Sequence, residues 1–246
     1  AMKHMKQSPE ADKFMEQLMN HPAPVPDELD WRKVPNRVSS VKSQGFCSSS
    51  WAFAAVGALE GQQVVRNFTS KLISLSAQDL IDCSRSNGNC YGGAVDRAFE
   101  DIAKMGGINS EDFYPYKGTH SVYDGCGFRI SHSIMKDSGN LTFTNGEEAL
   151  KKLVAAFGPV AVGVDTGMGL ESWMFYEKGV YDNATCNNVI EHEALVVGYG
   201  TDPKLGDYWL IKNSWSQQWG EDGYIRLRRG KGMCGIGLLS TIPKFD

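Results

Sequence analysis

No apolar run in this 246-residue chain reaches membrane-spanning length, which removes a transmembrane helix from consideration. There is no lysine and arginine cluster of the kind that grips phosphates. The formal net charge is −4, and the charged stretches 147–152 and 226–231 are short enough to be solvated faces. Nucleic acid and membrane are therefore not expected partners. Among the six cysteines no C-x-x-C pair occurs, so a zinc site is not expected, and no cofactor or other metal is called for. Internal repeats and low-complexity tracts are also lacking. No signal peptide opens the chain, and Ala1-Met2 reads as a cloning scar ahead of a processed N-terminus.

What is present fits an exported globular protein. An even number of cysteines without metal spacing predicts three disulfides and an oxidising compartment, with fifteen pairings open. Sequons at Asn67, Asn140 and Asn183 agree with a secretory route to a lysosome, a vacuole or the exterior, a digestive lumen included. The length allows one large domain or two closely joined lobes.

Residues 1–20 are polar apart from an amphipathic piece at 11–19, where Phe14, Met15 and Leu18 share a helical face. Pro22, Pro24 and Pro26 then enforce an extended linker, and the globular part is expected to start near Val25. Helices are predicted from Ser50 to about Arg66, from Ser76, over 94–104 ending at Gly106-Gly107, and over 147–157. Ser76 with Asp79 three residues on has the look of a capping box. Residues 30–41 read as loop, 84–93 as a loop closed by Cys90, and 118–127 as turn-rich. Strands are predicted at 160–164, 194–199, 208–212 and 224–229, which are short, β-branched or aromatic, and bounded by turn residues. Helices first and strands second give an α+β chain of two lobes, with a ligand cleft expected between them.

One stretch organises the rest. Residues 43–58, S-Q-G-F-C-S-S-S-W-A-F-A-A-V-G-A, run from a polar loop into small and apolar residues of helical character. Ser50 is thereby delivered to the first turn of a buried helix, where free N–H groups and the dipole favour a nucleophile or a developing oxyanion. The Gln44 amide could add a second donor. Glu191-His192-Glu193 stands at the mouth of an apolar strand, and Asn213-Ser214-Trp215 follows the end of another. Each alone reads as an ordinary turn or core edge. Together they supply a nucleophile, a base and a group to orient the base, with Trp215 and Trp219 to shield the hydrogen bond from water.

These pieces resemble papain-like cysteine proteases, the cathepsin L-like branch most closely. The S-Q-G-F-C-S-S-S-W-A-F stretch is similar to the family's active-site signature. Four further segments match in order: L-S-A-Q-D-L-I-D-C at 75–83, N-C-Y-G-G at 89–93, H-E-A-L-V-V-G-Y-G at 192–200 and Y-W-L-I-K-N-S-W-S-Q-Q-W-G at 208–220. The resemblance covers about 25–246. It implies a papain-like two-lobe fold with a helical lobe (about 36–140 plus the C-terminal tail) and a β-barrel-like lobe (about 25–35 and 141–238). It assigns the nucleophile position to Ser50, the base to His192, the orienting amide to Asn213 and an oxyanion donor to Gln44. Gly92 and Gly93 would bind substrate backbone, with Trp215 beside the cleft. Ala94, Val95, Gly163, Glu193 and Leu239 would wall the pocket for the second residue before the scissile bond. It further implies the bridges Cys47–Cys90, Cys83–Cys126 and Cys186–Cys234, and a leader over 1–24 that is the tail of an inhibitory propeptide. Expected partners are a peptide or protein substrate, that propeptide and cystatin-like inhibitors, on a monomer.

Two residues depart from the family pattern. Ser50 stands in place of the nucleophilic cysteine, and Ser48 in place of the signature glycine. The family's thiolate is ionised beforehand by an imidazolium and a helix N-terminus, whereas a serine hydroxyl is far too weak an acid for that. A serine needs a base helped by a buried carboxylate, and Asn213 is neutral. Glu191, next to His192 on a strand, should point to the opposite face. The expectation is an endopeptidase scaffold that hydrolyses peptides very slowly or not at all while still binding them. The alternative is a natural non-catalytic homologue acting as a decoy or regulator. Ser48 favours a natural serine-bearing member, because a deliberate exchange would leave that glycine alone; the scar and the leader favour an introduced change.

Overall fold

The computed structural model describes residues 6–120, 123, 125–169, 171–183 and 185–246. Ala1-Met2 lies outside the described residues, as do Ser121, Val122 and Asp124 of the turn-rich stretch. The chain runs α1 (Pro9–Met19), β1 (Leu29–Asp30), α2 (Ser50–Gln63), α3 (Ala77–Cys83), α4 (Val95–Met105), β2 (Asn140–Phe143), α5 (Glu147–Phe157), β3 (Val160–Val164), β4 (Val180–Tyr181), β5 (His192–Asp202), β6 (Gly206–Lys212), β7 (Tyr224–Arg228) and β8 (Ser240–Pro243).

The eight strands form one sheet in the order β2-β8-β3-β5-β6-β7-β4, with β1 on β5; every pair is antiparallel except β4 with β7. Its central strands are buried on both faces, and their alternation divides the core in two. Val160, Val162 and Val196 pack with α5 and with Ala11 and Met15 of α1. Ala161, Leu195 and Val197 pack with α2 and α4. The result is an α+β, papain-like two-lobe architecture.

Local chemistry accounts for most boundaries. Ser8 caps α1 by accepting from the Ala11 N–H, and Pro9 takes the first helical position. Gly106, left-handed at φ 90°, ends α4 by donating to the Ile102 carbonyl. α2 stops three residues before the expected Arg66, because the chain turns through a left-handed Asn67. The capping box at α3 is only half made. Ser76 accepts from the Asp79 N–H, but the Asp79 carboxylate accepts from the Asn109 N–H instead of turning back. Gly198 lets β1 cross β5, since a Cβ there would lie 2.1 Å from the Leu29 carbonyl oxygen.

Three disulfides staple the loops: Cys47–Cys90, Cys83–Cys126 and Cys186–Cys234. The first ties the segment leading into α2 to the loop before α4. A buried polar bridge joins the lobes behind the site. The Glu60 carboxylate of α2 accepts from Ser39 Oγ (2.8 Å) and the Leu75 N–H (2.9 Å), and Lys212 Nζ at the end of β6 donates to Ser39 Oγ (3.1 Å). Asn213 is the next residue in the chain.

Candidate active site

Ser50 opens α2, preceded by a cap residue that does not cap. Ser49 Oγ bonds the Tyr116 hydroxyl (3.0 Å) and the Cys47 carbonyl (3.3 Å), and no side chain bonds the first turn of the helix. The Ala52 and Phe53 N–H groups donate to the Ser49 carbonyl (2.9 and 3.3 Å), and the N–H groups of Ser50 and Trp51 are the first-turn donors left for the cleft. The Tyr116 hydroxyl also donates to the Gln44 carbonyl at 2.6 Å, so one phenol pins both ends of the loop before α2.

Gln44 is held at both ends of its amide. Its Oε1 accepts from Ser214 Oγ (2.7 Å), and its Nε2 donates to the Cys47 carbonyl (3.0 Å). One amide hydrogen is thus already committed inside the loop, which departs from a donor aimed wholly at substrate, and one is left for the cleft.

His192 begins β5 and lies 5% exposed. Its Nε2 is 2.8 Å from Asn213 Oδ1, which also accepts the Ser214 N–H at 2.9 Å. Two donors on one oxygen identify that atom as the carbonyl, so Nε2 carries the proton and Nδ1 holds the free lone pair. Burial pushes the imidazole below its ordinary 6.5, against smaller opposing effects of the Asn213 bond and the Glu191 charge. Indole rings enclose it. Trp215 lies 5.0 Å and Trp173 6.3 Å away centroid to centroid, and Trp219 packs on both indoles.

The Ser50 hydroxyl turns elsewhere. It donates to Glu193 Oε2 at 3.1 Å and accepts the Glu193 N–H at 3.2 Å. Burial lifts the Glu193 carboxyl to about 7, opposed by the Ser50 bond and assisted by the Glu191 and Asp96 carboxylates. Glu191 itself faces away, accepting from the Thr166 N–H and hydroxyl. Gly163 stands opposite Glu193 in the β3–β5 ladder, and a Cβ on it would touch Leu239 and Ile190. Leu239 thus lies beside the ladder partner of Glu193, and the charge of Asp96, in the first turn of α4, acts on Glu193. On the rim, a Cβ at Gly93 would lie 2.7 Å from both the Trp51 ring and Asn87 Oδ1, so only glycine keeps that backbone against the helix.

A model of the family described as "Papain family cysteine protease" matches residues 25–243. This chain belongs to the papain family of cysteine proteases. A "Cathepsin L-like" protein of Caenorhabditis elegans is 45% identical over 224 residues, covering 89% of this chain and 64% of the relative. "Procathepsin L" of Rattus norvegicus is 42% identical over 237 residues, covering 94% and 68%. The chain thus spans about two thirds of the length of these relatives. Among solved structures, digestive procathepsin L 3 of the Tenebrio molitor larval midgut superposes with a TM-score of 0.83 at 38% identity, covering 96% of this chain and 79% of that one. The ragweed pollen allergen Amb a 11, a cysteine protease in its proform, does so at 0.81 and 41%, covering 92% and 67%.

Three residues of this papain-family site escape a sequence reading. Trp173 is fully buried against His192, yet S-W-M-F-Y carries no local signal of it. Tyr116 and Ser214 hold the Gln44 loop, and only their position in the fold gives them that task. The sequons also differ in setting. Asn67 is exposed, whereas Asn140 and Asn183 spend their amide hydrogens on Glu100 and Glu171.

Proposed function

We propose that residues 25–246 form the peptidase domain of a cathepsin L-like endopeptidase whose nucleophile position is held by Ser50, so that peptides bind but are cleaved very slowly or not at all. The observation that carries this is the buried His192 Nε2–Asn213 Oδ1 hydrogen bond beneath the indoles, one residue from the group that bonds Ser50. It leaves Nδ1 as a base while the open first turn of α2 and the Gln44 amide supply oxyanion donors. Gly92 and Gly93 bind substrate backbone, Trp215 borders the cleft, and Ala94, Val95, Gly163, Glu193 and Leu239 form the specificity wall. A thiolate at position 50 would be stabilised by this site; an alkoxide would not, because the group on the far side of the imidazole is the neutral Asn213 amide.

The leader through Pro24 is the tail of the chain's own propeptide. It lies ahead of the family match, and the solved relatives named above are precursor forms. The disulfides support a secretory, lysosomal or extracellular setting. Ser50→Cys with a fluorogenic peptide tests the assignment. Robust turnover is the expected outcome. Continued silence would favour the non-catalytic decoy, with Ser48 the first residue to revert to glycine.

A further inference from the structure

Resting on the cleft proposed above, we infer that Glu193 is the proton acceptor for Ser50, and that the two form a nucleophile and base able to take up activated acyl and phosphonyl groups. The hydroxyl is gripped by this one residue from two directions. Its Oγ donates to Oε2 at 3.1 Å, while the Glu193 N–H donates to the same oxygen at 3.2 Å. A serine with its proton already directed at a carboxylate has the geometry that general-base catalysis requires. Among the described residues, the side-chain partner of His192, the family's base, is Asn213.

The carboxylates of Glu191, turned toward Thr166, and of Asp96 still act on Glu193 through their charge, with the His192 ring as its chain neighbour. Together with burial they make it a stronger base than an ordinary carboxylate, titrating at about 7. Gly163, its partner across the ladder, has no side chain to crowd it.

In the step itself, Ser50 Oγ bonds the acyl carbon and its proton passes to Glu193 Oε2. The carbonyl electron pair moves to the oxygen at the α2 N-terminus. On collapse, a leaving group such as a phenolate departs with its own bonding pair and needs no proton. Glu193 gives its proton up to solvent, and water then attacks the acyl-serine with Glu193 Oε2 taking the water's proton. That proton passes to Ser50 Oγ as the C–Oγ bond breaks and the acid is released. With a fluorophosphonate, the Oγ–P bond forms, the P–F bond breaks and fluoride leaves. An amide differs because its amine must be protonated to depart, which is why activated acyl groups are the class that fits.

The test is the rate at which a fluorophosphonate probe labels Ser50 between pH 5 and 9, located by peptide mass mapping. Labelling should rise with pH through an inflection near 7. Loss of the inflection in E193Q together with its retention in E193D assigns it to Glu193 and not to His192. E193Q should slow labelling at pH 8 by about 100-fold or more and remove the inflection. E193D, a carboxylate one methylene shorter, should label slowly but keep the inflection, and it decides the matter if E193Q does not fold. Labelling of E193Q at the parent rate, an inflection that persists in E193Q, or no labelling of the parent would each overturn the inference. Peptide turnover by Ser50→Cys with Glu193 left in place is a separate measurement on the thiol, so failure of the peptidase assignment would be recognised separately.

Discussion

The two sides of the cleft are held by different means. On one side, Asn213 Oδ1 takes two donors, two indoles flank the imidazole with a third packed on both, and the Glu60–Ser39–Lys212 bridge anchors the strand end. On the other, the Ser50 hydroxyl depends on Glu193 alone. Hydrogen bonds and packing orient the imidazole without reference to the attacking atom. The His192 side can therefore keep its geometry when sulfur is exchanged for oxygen, while the nucleophile settles on whichever acceptor is nearest.

If that contrast is right, Ser50→Cys should have the largest effect, raising kcat/KM for a fluorogenic peptide by about 10⁴-fold, the scale set by charge support in a serine triad. A gain below tenfold would mean that the His192 side is not competent. Next, Trp173→Ala should destabilise the fold by about 3–5 kcal/mol in urea unfolding, because it empties the space behind the imidazole. A loss under 1 kcal/mol would show that the indoles are not what holds the ring. In the Ser50→Cys background, Asn213→Ala should lower kcat by about 10- to 100-fold with KM little changed, the cost of leaving the buried Nε2–H unpaired. Smallest, Gly93→Ala should weaken binding of a peptide aldehyde by about tenfold and cost about 1–2 kcal/mol in stability, since Trp51 and Asn87 must shift.

Much of the fold is legible from local pattern. α5 and β3 occupy the residues their periodicity predicts, bounded by Gly146 and Gly158. The paired elements β2, β4 and β8 are not legible. N-L-T-F, V-Y and S-T-I-P are too short to announce themselves, and they become strands only because β8, β7 and β3 offer free edges. The site divides in the same way. The sequence nominates Ser50, His192, Asn213 and Gln44 by order and type. It places Glu193 in a pocket wall, and nothing local says that its carboxylate meets the Ser50 hydroxyl. Glu193 and Ser50 are far apart in the chain and meet only where β5 passes α2.

The sequence by itself determines the chemistry available to this protein: a hydroxyl in place of a thiol at the start of a buried helix, a neutral amide as the partner of the imidazole, and cysteines enough for three bridges. Only the tertiary structure decides which groups meet. The β3–β5 ladder sets Glu193 against Gly163, and packing across the two lobes brings Glu193 to Ser50 and seals His192 under tryptophans. Such contacts join residues distant in sequence, and they are fixed by sheet register and core packing that no local pattern encodes.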